Sequence, residues 1–300
     1  LAENAAGPRT FYYDNQTNEL TDTMGSTYKY SEVPQHNFAP HKSFSKDNPL
    51  KKSKLVTTLK IQLGLSCNYS CDYCSQKFVE RAPETSKKDI EAFLGMLENL
   101  EFSPSHGLRI EFWGGEPLVY WKTLRPLTEA IQTKFKDWEV KPQFSMITNG
   151  SILTPEMCNW LHKNEFSVSI SHDGPGQAAR GPDPFDDPKQ KEIILDFYRL
   201  MKPLGKISFN AMLNSKNLSR KAVFDWFVNL TGDPTVPLGE GSFVDAYDDD
   251  GAASSLQTKD DHFKFRQMAF GEIYASQGNI GFAPQLNKID MFIKESRNAI

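Results

Sequence analysis

Between residues 58 and 276 the sequence changes period six times, from the two-residue alternation of a strand to the 3.6-residue stripe of a helix. TLKIQLGL (58–65), LRIEFW (108–113), QFSMIT (143–148), FSVSIS (166–171), KISFNAML (206–213) and GSFVDAY (241–247) read as strands. Residues 86–101, 120–136, a segment opening at Thr154, 188–202, 218–230 and 258–276 read as helices. In the first helix Ile90, Phe93, Leu94, Leu97 and Leu100 share one stripe behind Ser86 as N-cap. Thr154 stands before Pro155, which suits a first helical position. Such a series leaves few solutions. Parallel strands need long crossover connections, and these are almost always right-handed. The predicted fold is α/β, a partial (β/α)6 TIM-like barrel with an irregular N-terminal extension. A closed barrel of eight units needs about 250 residues.

The strands also predict what the barrel holds. Buried parallel strands are normally apolar on both faces. Here Gln62, Glu111, Ser169, Ser171, Ser208 and Asn210 interrupt apolar strands at alternate positions. They are expected to point into a wet lumen. Residues 1–57, with scattered prolines and no long periodic segment, read as a short hairpin and an extended arm; 58–276 is the barrel; 277–300 starts a further C-terminal region.

Composition narrows the class. Hydrophobic residues make up 39% of the chain and charged ones 24%, which excludes a disordered polymer. No run of 18 apolar residues predicts a membrane span, and the first ten residues have no apolar signal core. The net charge of -4 argues against a nucleic-acid partner. Lys42, Lys46, Lys51, Lys52 and Lys54 read as a solvated loop.

Three of the four cysteines, Cys67, Cys71 and Cys74, fall in a C-x3-C-x2-C run just after the first strand. Clustered thiols in a long chain without a secretion signal read as metal ligands in a reducing, cytoplasmic setting rather than as a disulfide framework. A structural zinc site would want a fourth protein ligand. An iron–sulfur cube held by three thiolates keeps one iron open. Cys158 lies within a predicted helix and reads as a buried core thiol.

Barrels of this kind place their chemistry at the C-terminal ends of the strands. There the sequence sets the cysteines, then Gly114-Gly115-Glu116-Pro117, Thr148-Asn149-Gly150, Ser171-His172-Asp173-Gly174-Pro175 with Arg180, and a carboxylate run of Asp245, Asp248, Asp249 and Asp250. CNYSCDYC followed in order by FWGGEPL, TNG and SISHDGP resembles the radical S-adenosylmethionine (SAM) superfamily. Within it, the chain is most similar to the sulfatase-maturase and peptide-modifying group with SPASM or Twitch extensions. His172 departs from the pattern, since relatives often have leucine there.

The resemblance implies a [4Fe–4S] cluster on Cys67, Cys71 and Cys74, with the methionine part of SAM on the open iron. It implies one-electron cleavage of SAM to a 5′-deoxyadenosyl radical that takes hydrogen from a substrate. A peptide or protein side chain is the expected substrate, and a flavodoxin or ferredoxin the expected electron donor. Gly114 and Gly115 would bring backbone close to the cofactor, and Glu116 would accept its ammonium group. Tyr73 would lie near the adenine. Ser171 and Arg180 suit ribose and carboxylate, although Arg180 equally suits an ion pair with Asp183, Asp186 or Asp187. Asn149 would contact the ribose or simply make a turn, and Met212 would pack on the adenine or in the core. Asp245 is the candidate acid/base residue. Two readings stay open beside this one: an RNA- or small-molecule-modifying radical enzyme, and a non-catalytic iron–sulfur or zinc protein. Relatives in this group continue into a cysteine-rich module that these residues lack. The chain, starting at Leu1 and stopping after Ile289, Phe292 and Ile293 at helical spacing, is therefore expected to be the core of a longer protein.

Overall fold

The structure, a computed structural model, describes residues 11–14, 19–25, 27–28, 55–79, 84–244 and 249–275. The chain divides into two compact units, residues 1–52 with 285–300, and residues 53–284. In the first, β1 (Phe11–Asp14), β2 (Glu19–Asp22) and β3 (Thr27–Tyr28) form an antiparallel sheet in that order. These strands lie within the stretch read from sequence as a hairpin and an arm, most of which is outside the described residues.

The second unit is a six-stranded sheet of β4 (Thr58–Gln62), β5 (Arg109–Trp113), β6 (Gln143–Thr148), β7 (Ser167–Ser171), β8 (Ile207–Leu213) and β9 (Leu238–Phe243). The strands lie in sequence order and every neighbouring pair is parallel. β4 and β9 are its two edges, so the sheet is open. Sequential order with right-handed crossovers puts the connecting helices on one face. These are α1 (Ile90–Leu97), α2 (Trp121–Lys134), α3 (Pro155–Lys163), α4 (Pro188–Met201) and α5 (Arg220–Thr231). α6 (Asp249–Ser254) and α7 (Lys259–Ala275) follow β9. No described helix is long and apolar enough to cross a membrane.

Burial follows the strand period. Ile110, Phe112, Phe144, Met146, Val168, Ile170, Ile207 and Phe209 are buried in one core with helix residues such as Leu124, Ile131 and Phe227. Phe112, Phe144 and Phe166 stack through it, and Trp160 packs on Phe166 at 5.5 Å. The alternate residues take the opposite face. Lys60 pairs in register with Glu111, Ser169 with Ser208, and Ser171 with Asn210. Ser208 Oγ lies 3.1 Å from Ser169 Oγ. Gln62 is exposed. The polar alternation therefore marks the helix-free face.

β9 and α1 differ in their bounds from the sequence expectation, and β4 ends at Gln62 rather than Leu65. β9 begins at Leu238 and ends at Phe243, not at 241–247. The ladder starts upstream of the predicted strand: Phe209 N donates to Pro237 O at 2.8 Å and Val244 N to Leu213 O at 2.9 Å. α1 is shorter than expected, ending at Leu97, and Leu100 is exposed. Ser86 does cap, but over a single 3-10 turn, in a reciprocal box with Asp89.

Candidate functional site

Parallel strands deliver all their C-terminal loops to one end of the sheet. There a cavity of about 620 Å³ opens. It is lined by Cys67, Cys71 and Cys74, and by Tyr73, Gly114, Gly115, Glu116, Asn149, Ser171, Arg180 and Met212. These residues come from five segments separated by up to 145 positions, and only topology brings them together. Asp245 and Asp248 lie outside the described residues; Asp249 and Asp250 open α6.

The cysteine loop is held by its neighbours. Beyond β4 the pairing continues: Gly115 N donates to Gly64 O and Glu116 N to Ser66 O, both at 3.0 Å. Gly114 has φ 133°, and a Cβ there would stand 2.2 Å from Gly64 O. One on Gly115 would stand 2.3 Å from Ser66 O. The two glycines thus let the GGEP loop lie flat on the cysteine loop, a neighbour the sequence did not suggest. Asn149 Nδ2 donates to Asn68 Oδ1 at 2.9 Å, and Asn68 Nδ2 donates to Ser151 Oγ at 2.7 Å. Asp72 N donates to Ala179 O at 2.9 Å, and Tyr69 Oη to Pro182 O at 2.8 Å. Tyr120 Oη accepts from Ser66 N at 2.7 Å and donates to Glu84.

Cys67 is exposed on this loop, and Cys71 and Cys74 are half-buried. Burial pushes the Cys71 thiol up to about 12 against the pull of Arg180, and pushes the Cys67 thiol up as well. A metal held at these two positions would have to displace their protons. Cys158 is buried on α3 in the apolar core, apart from the loop.

Glu116 is 2% exposed and caps the 3-10 turn Pro117–Tyr120. Its Oε1 accepts from Leu118 N at 3.0 Å and Thr148 Oγ1 at 2.6 Å, and its Oε2 from Asn149 N at 2.7 Å. Burial pushes its carboxyl up, while these three donors pull it back. A carboxylate has about four acceptor positions, so one remains on Oε2. The Asn149 side chain is largely committed, since its Oδ1 also accepts from Ser151 N and Oγ.

Arg180 corrects a sequence alternative. It pairs with none of Asp183, Asp186 and Asp187. Its Nη2 donates to Asp173 Oδ1 at 2.8 Å, and its guanidinium carbon stands 5.7 Å from the Tyr73 ring centre. Burial disfavours its charge, but Asp173 and then Tyr73 hold its pKa above the ordinary value. Its Nε is the one buried side-chain nitrogen or oxygen among the described residues without a hydrogen-bond partner. Asp173, which the sequence reading places in this loop without a role, also accepts from Tyr73 Oη and from Met212 N at 2.9 Å. Its only sequence signal was a carboxylate at a Gly-Pro turn. His172 is fully buried, stacked on Trp226 at 4.7 Å, with Nε2 3.0 Å from Asp183 Oδ1.

Residues 61–237 match the model of the Radical SAM superfamily. Among curated proteins, the chain is 24% identical over 195 residues to a radical SAM cyclopropyl synthase, TigE, of Paramaledivibacter caminithermalis, covering 61% of this chain and 39% of that protein. It is 28% identical over 176 residues to a serine-type anaerobic sulfatase-maturating enzyme of Bacteroides thetaiotaomicron, covering 55% and 36%. The chain thus spans under half the length of these two relatives. Among solved structures it resembles native anSMEcpe with bound AdoMet and Cp18Cys peptide, with a TM-score of 0.55, 21% identity, and coverage of 76% of this chain and 62% of that one.

Proposed function

Given that the chain belongs to the radical SAM superfamily, a family that binds a [4Fe–4S] cluster and SAM, we propose that it acts on a peptide or protein side chain. When bound, the cluster and SAM supply one-electron chemistry that removes a hydrogen atom from the substrate. The residues present fit such a pair. Three soft thiols share one loop, a buried carboxylate keeps an acceptor position, and a buried guanidinium N–H has no protein partner.

In this reading Cys67, Cys71 and Cys74 hold the cluster. Glu116 accepts the ammonium group of SAM at Oε2, already oriented by three donors. Arg180, in the cavity wall, donates to its carboxylate. Tyr73, Met212 and Ser171 wall the nucleoside, with Asn149 holding the floor through Asn68 and Ser151. Asp245 serves as the acid/base residue. Trp113 and Ile147, 46% and 42% exposed at the cavity, present apolar surface to the substrate. The peptide class is supported by the sulfatase-maturating relative and the peptide-bound neighbour. A ferredoxin- or flavodoxin-type donor in a reducing, cytoplasmic setting would deliver the electron.

The observation that carries the proposal is the convergence of the three cysteines, Glu116 and Arg180 on one cavity. Anaerobic reconstitution tests it. Cys71→Ala should lose the brown chromophore and SAM cleavage, and Cys158→Ala should keep both; loss of iron in Cys158→Ala refutes the ligand set. Glu116→Ala should keep the chromophore and weaken SAM binding by about 1.5–3 kcal/mol. For the substrate class, the protein is incubated with SAM, reductant and the peptides encoded beside its gene. A mass change on a peptide is expected, and turnover of a nucleotide or RNA instead overturns the class.

A further inference from the structure

Asp173 is fully buried and does not line the cavity, yet each of its carboxylate's three donors does. Oδ2 accepts from Tyr73 Oη. Oδ1 accepts from Arg180 Nη2 at 2.8 Å and from Met212 N at 2.9 Å. Tyr73 sits between the ligand positions Cys71 and Cys74. Arg180 stands over the Tyr73 ring, and Met212, next to the last residue of β8, lines the cavity. One carboxylate therefore ties together the cysteine loop, the cavity's arginine and the neighbouring strand.

The backbone around it is fixed as firmly. Asp173 N donates to Gln177 Oε1 at 3.1 Å, and Asn217 Nδ2 donates to Asp173 O at 2.7 Å. The carboxylate thus has little freedom to follow its partners; they must follow it. An ordinary buried ion pair saturates both partners. Here Arg180 gives Asp173 one nitrogen and keeps Nε–H buried without a partner. A buried donor left unmade costs stability unless something else takes it up. Asp173 thus holds the guanidinium at Nη2, and Arg180 so held forms part of the cavity wall.

We propose that Asp173 is a positioning residue for SAM: its carboxylate sets Arg180 and Tyr73 in one fixed relation, so that the cysteine loop and the cofactor's acidic end are aligned by a single buried anion. The inference rests on the radical SAM assignment and adds to it a residue that touches neither cluster nor SAM. Asp173→Asn tests the charge at constant size. An amide keeps one oxygen for Arg180 and Met212 and can turn the Tyr73 hydrogen bond round, but it removes the negative charge that holds the guanidinium and fixes the direction of the Tyr73 hydroxyl.

The test uses the anaerobically reconstituted protein and reads iron content, equilibrium SAM binding and the change SAM induces in the EPR spectrum of the reduced cluster. Asp173→Asn should keep wild-type iron content, lose roughly tenfold or more in SAM affinity, as expected for loss of hydrogen bonds to a charged group, and show a diminished SAM-induced spectral change. Combined with Arg180→Gln, it should be no weaker than the weaker single variant. SAM affinity within twofold of wild type overturns the proposal. So does iron loss in step with affinity loss, which marks a scaffold role, or full additivity of the two changes. Tyr73→Phe removes one donor and keeps the buried ion pair, and it decides the matter if Asp173→Asn does not fold. It should bind SAM about threefold more weakly at unchanged iron content, and unchanged affinity overturns the proposal. Failure of SAM binding in the wild type would instead sink the family reading.

Discussion

Two aspartates of the barrel stand in the same arrangement at opposite ends of the sheet. Asp173, beyond the C-terminal end of β7, accepts from Tyr73 and Arg180, and the cation stands 5.7 Å from the tyrosine ring centre. Asp233, ahead of the N-terminal end of β9, accepts from Tyr198 and Lys202, and the cation again stands 5.7 Å from the ring centre. The difference lies in saturation. Lys202 Nζ also reaches Thr235 O at 2.8 Å and Thr235 Oγ1 at 3.1 Å, so it meets at least as many acceptors as it has protons. Asp233 collects Thr235 N and Oγ1 as well, both at 2.7 Å. This triad is complete and partly in water, with side chains 22% and 30% exposed. The other is 0% and 11% exposed and keeps a donor in hand. One composition makes a brace at the quiet end of the barrel and an unfinished site at the active end.

The sharpest way to break the comparison is to remove each cation from the ligand-free protein. Arg180→Ala leaves Asp173 buried and unpaired, a change expected to cost about 3–5 kcal/mol. Lys202→Ala leaves Asp233 near water with Tyr198 and Thr235 still donating, and about 1 kcal/mol or less is expected. Thermal melts of the two variants compare them. Equal losses would mean that the two triads do the same job and that the spare donor of Arg180 has no special meaning.

This contrast also separates what a sequence shows from what only a fold shows. The alternation of Glu111, Ser169, Ser208 and Asn210 with buried neighbours is a local period, and in the fold these residues share the helix-free face. The cysteine spacing is local too, and so is the Thr154 cap, whose side chain accepts from Met157 N. The links that hold the site are not local. Tyr73 meets Asp173 across 100 positions, and Asn149 meets Asn68 across 81. A buried polar group takes whichever partner the topology delivers, and no residue spacing announces it. Arg180 was placed at the cavity from its loop, but its true partner lay seven residues upstream rather than in the nearby aspartates. Gly114 and Gly115 carried the opposite ambiguity: a glycine pair signals close approach without saying to what.

A second, smaller test uses pH on the saturated triad. Lys202 first, then Tyr198, hold the Asp233 carboxyl well below the usual carboxylate range, against a modest upward push from burial. A carboxyl whose folded pKa is depressed contributes stability in full above its unfolded pKa, near 3.9. That contribution fades as pH falls toward the folded value. Asp233→Asn should therefore melt below wild type by a constant margin between pH 5 and 8, corresponding to about 1 kcal/mol. The margin should narrow below pH 4. A margin that widens on acidification would reverse the sign and show that Asp233 is not the anion of this triad.

The smallest expected effect comes from Tyr198→Phe. The ring is buried and packs on Phe209 at 5.6 Å, so phenylalanine keeps its apolar contacts. What is lost is one hydroxyl between Asp233, at 2.6 Å, and Lys202, at 3.3 Å. Asp233 retains Lys202 and both Thr235 donors, and Lys202 retains Asp233 and both Thr235 acceptors, so neither ion is stranded. Removing one partner from a group that keeps its others costs only the net value of a hydrogen bond, here about 0.5 kcal/mol. Denaturant titration of the ligand-free variant against wild type should give that figure at an unchanged slope. A loss above about 2 kcal/mol, the scale for stranding a buried polar group, would show that the hydroxyl is not redundant. The N-terminal triad would then be as finely poised as the one beside the cysteines, and the distinction between brace and site would fail.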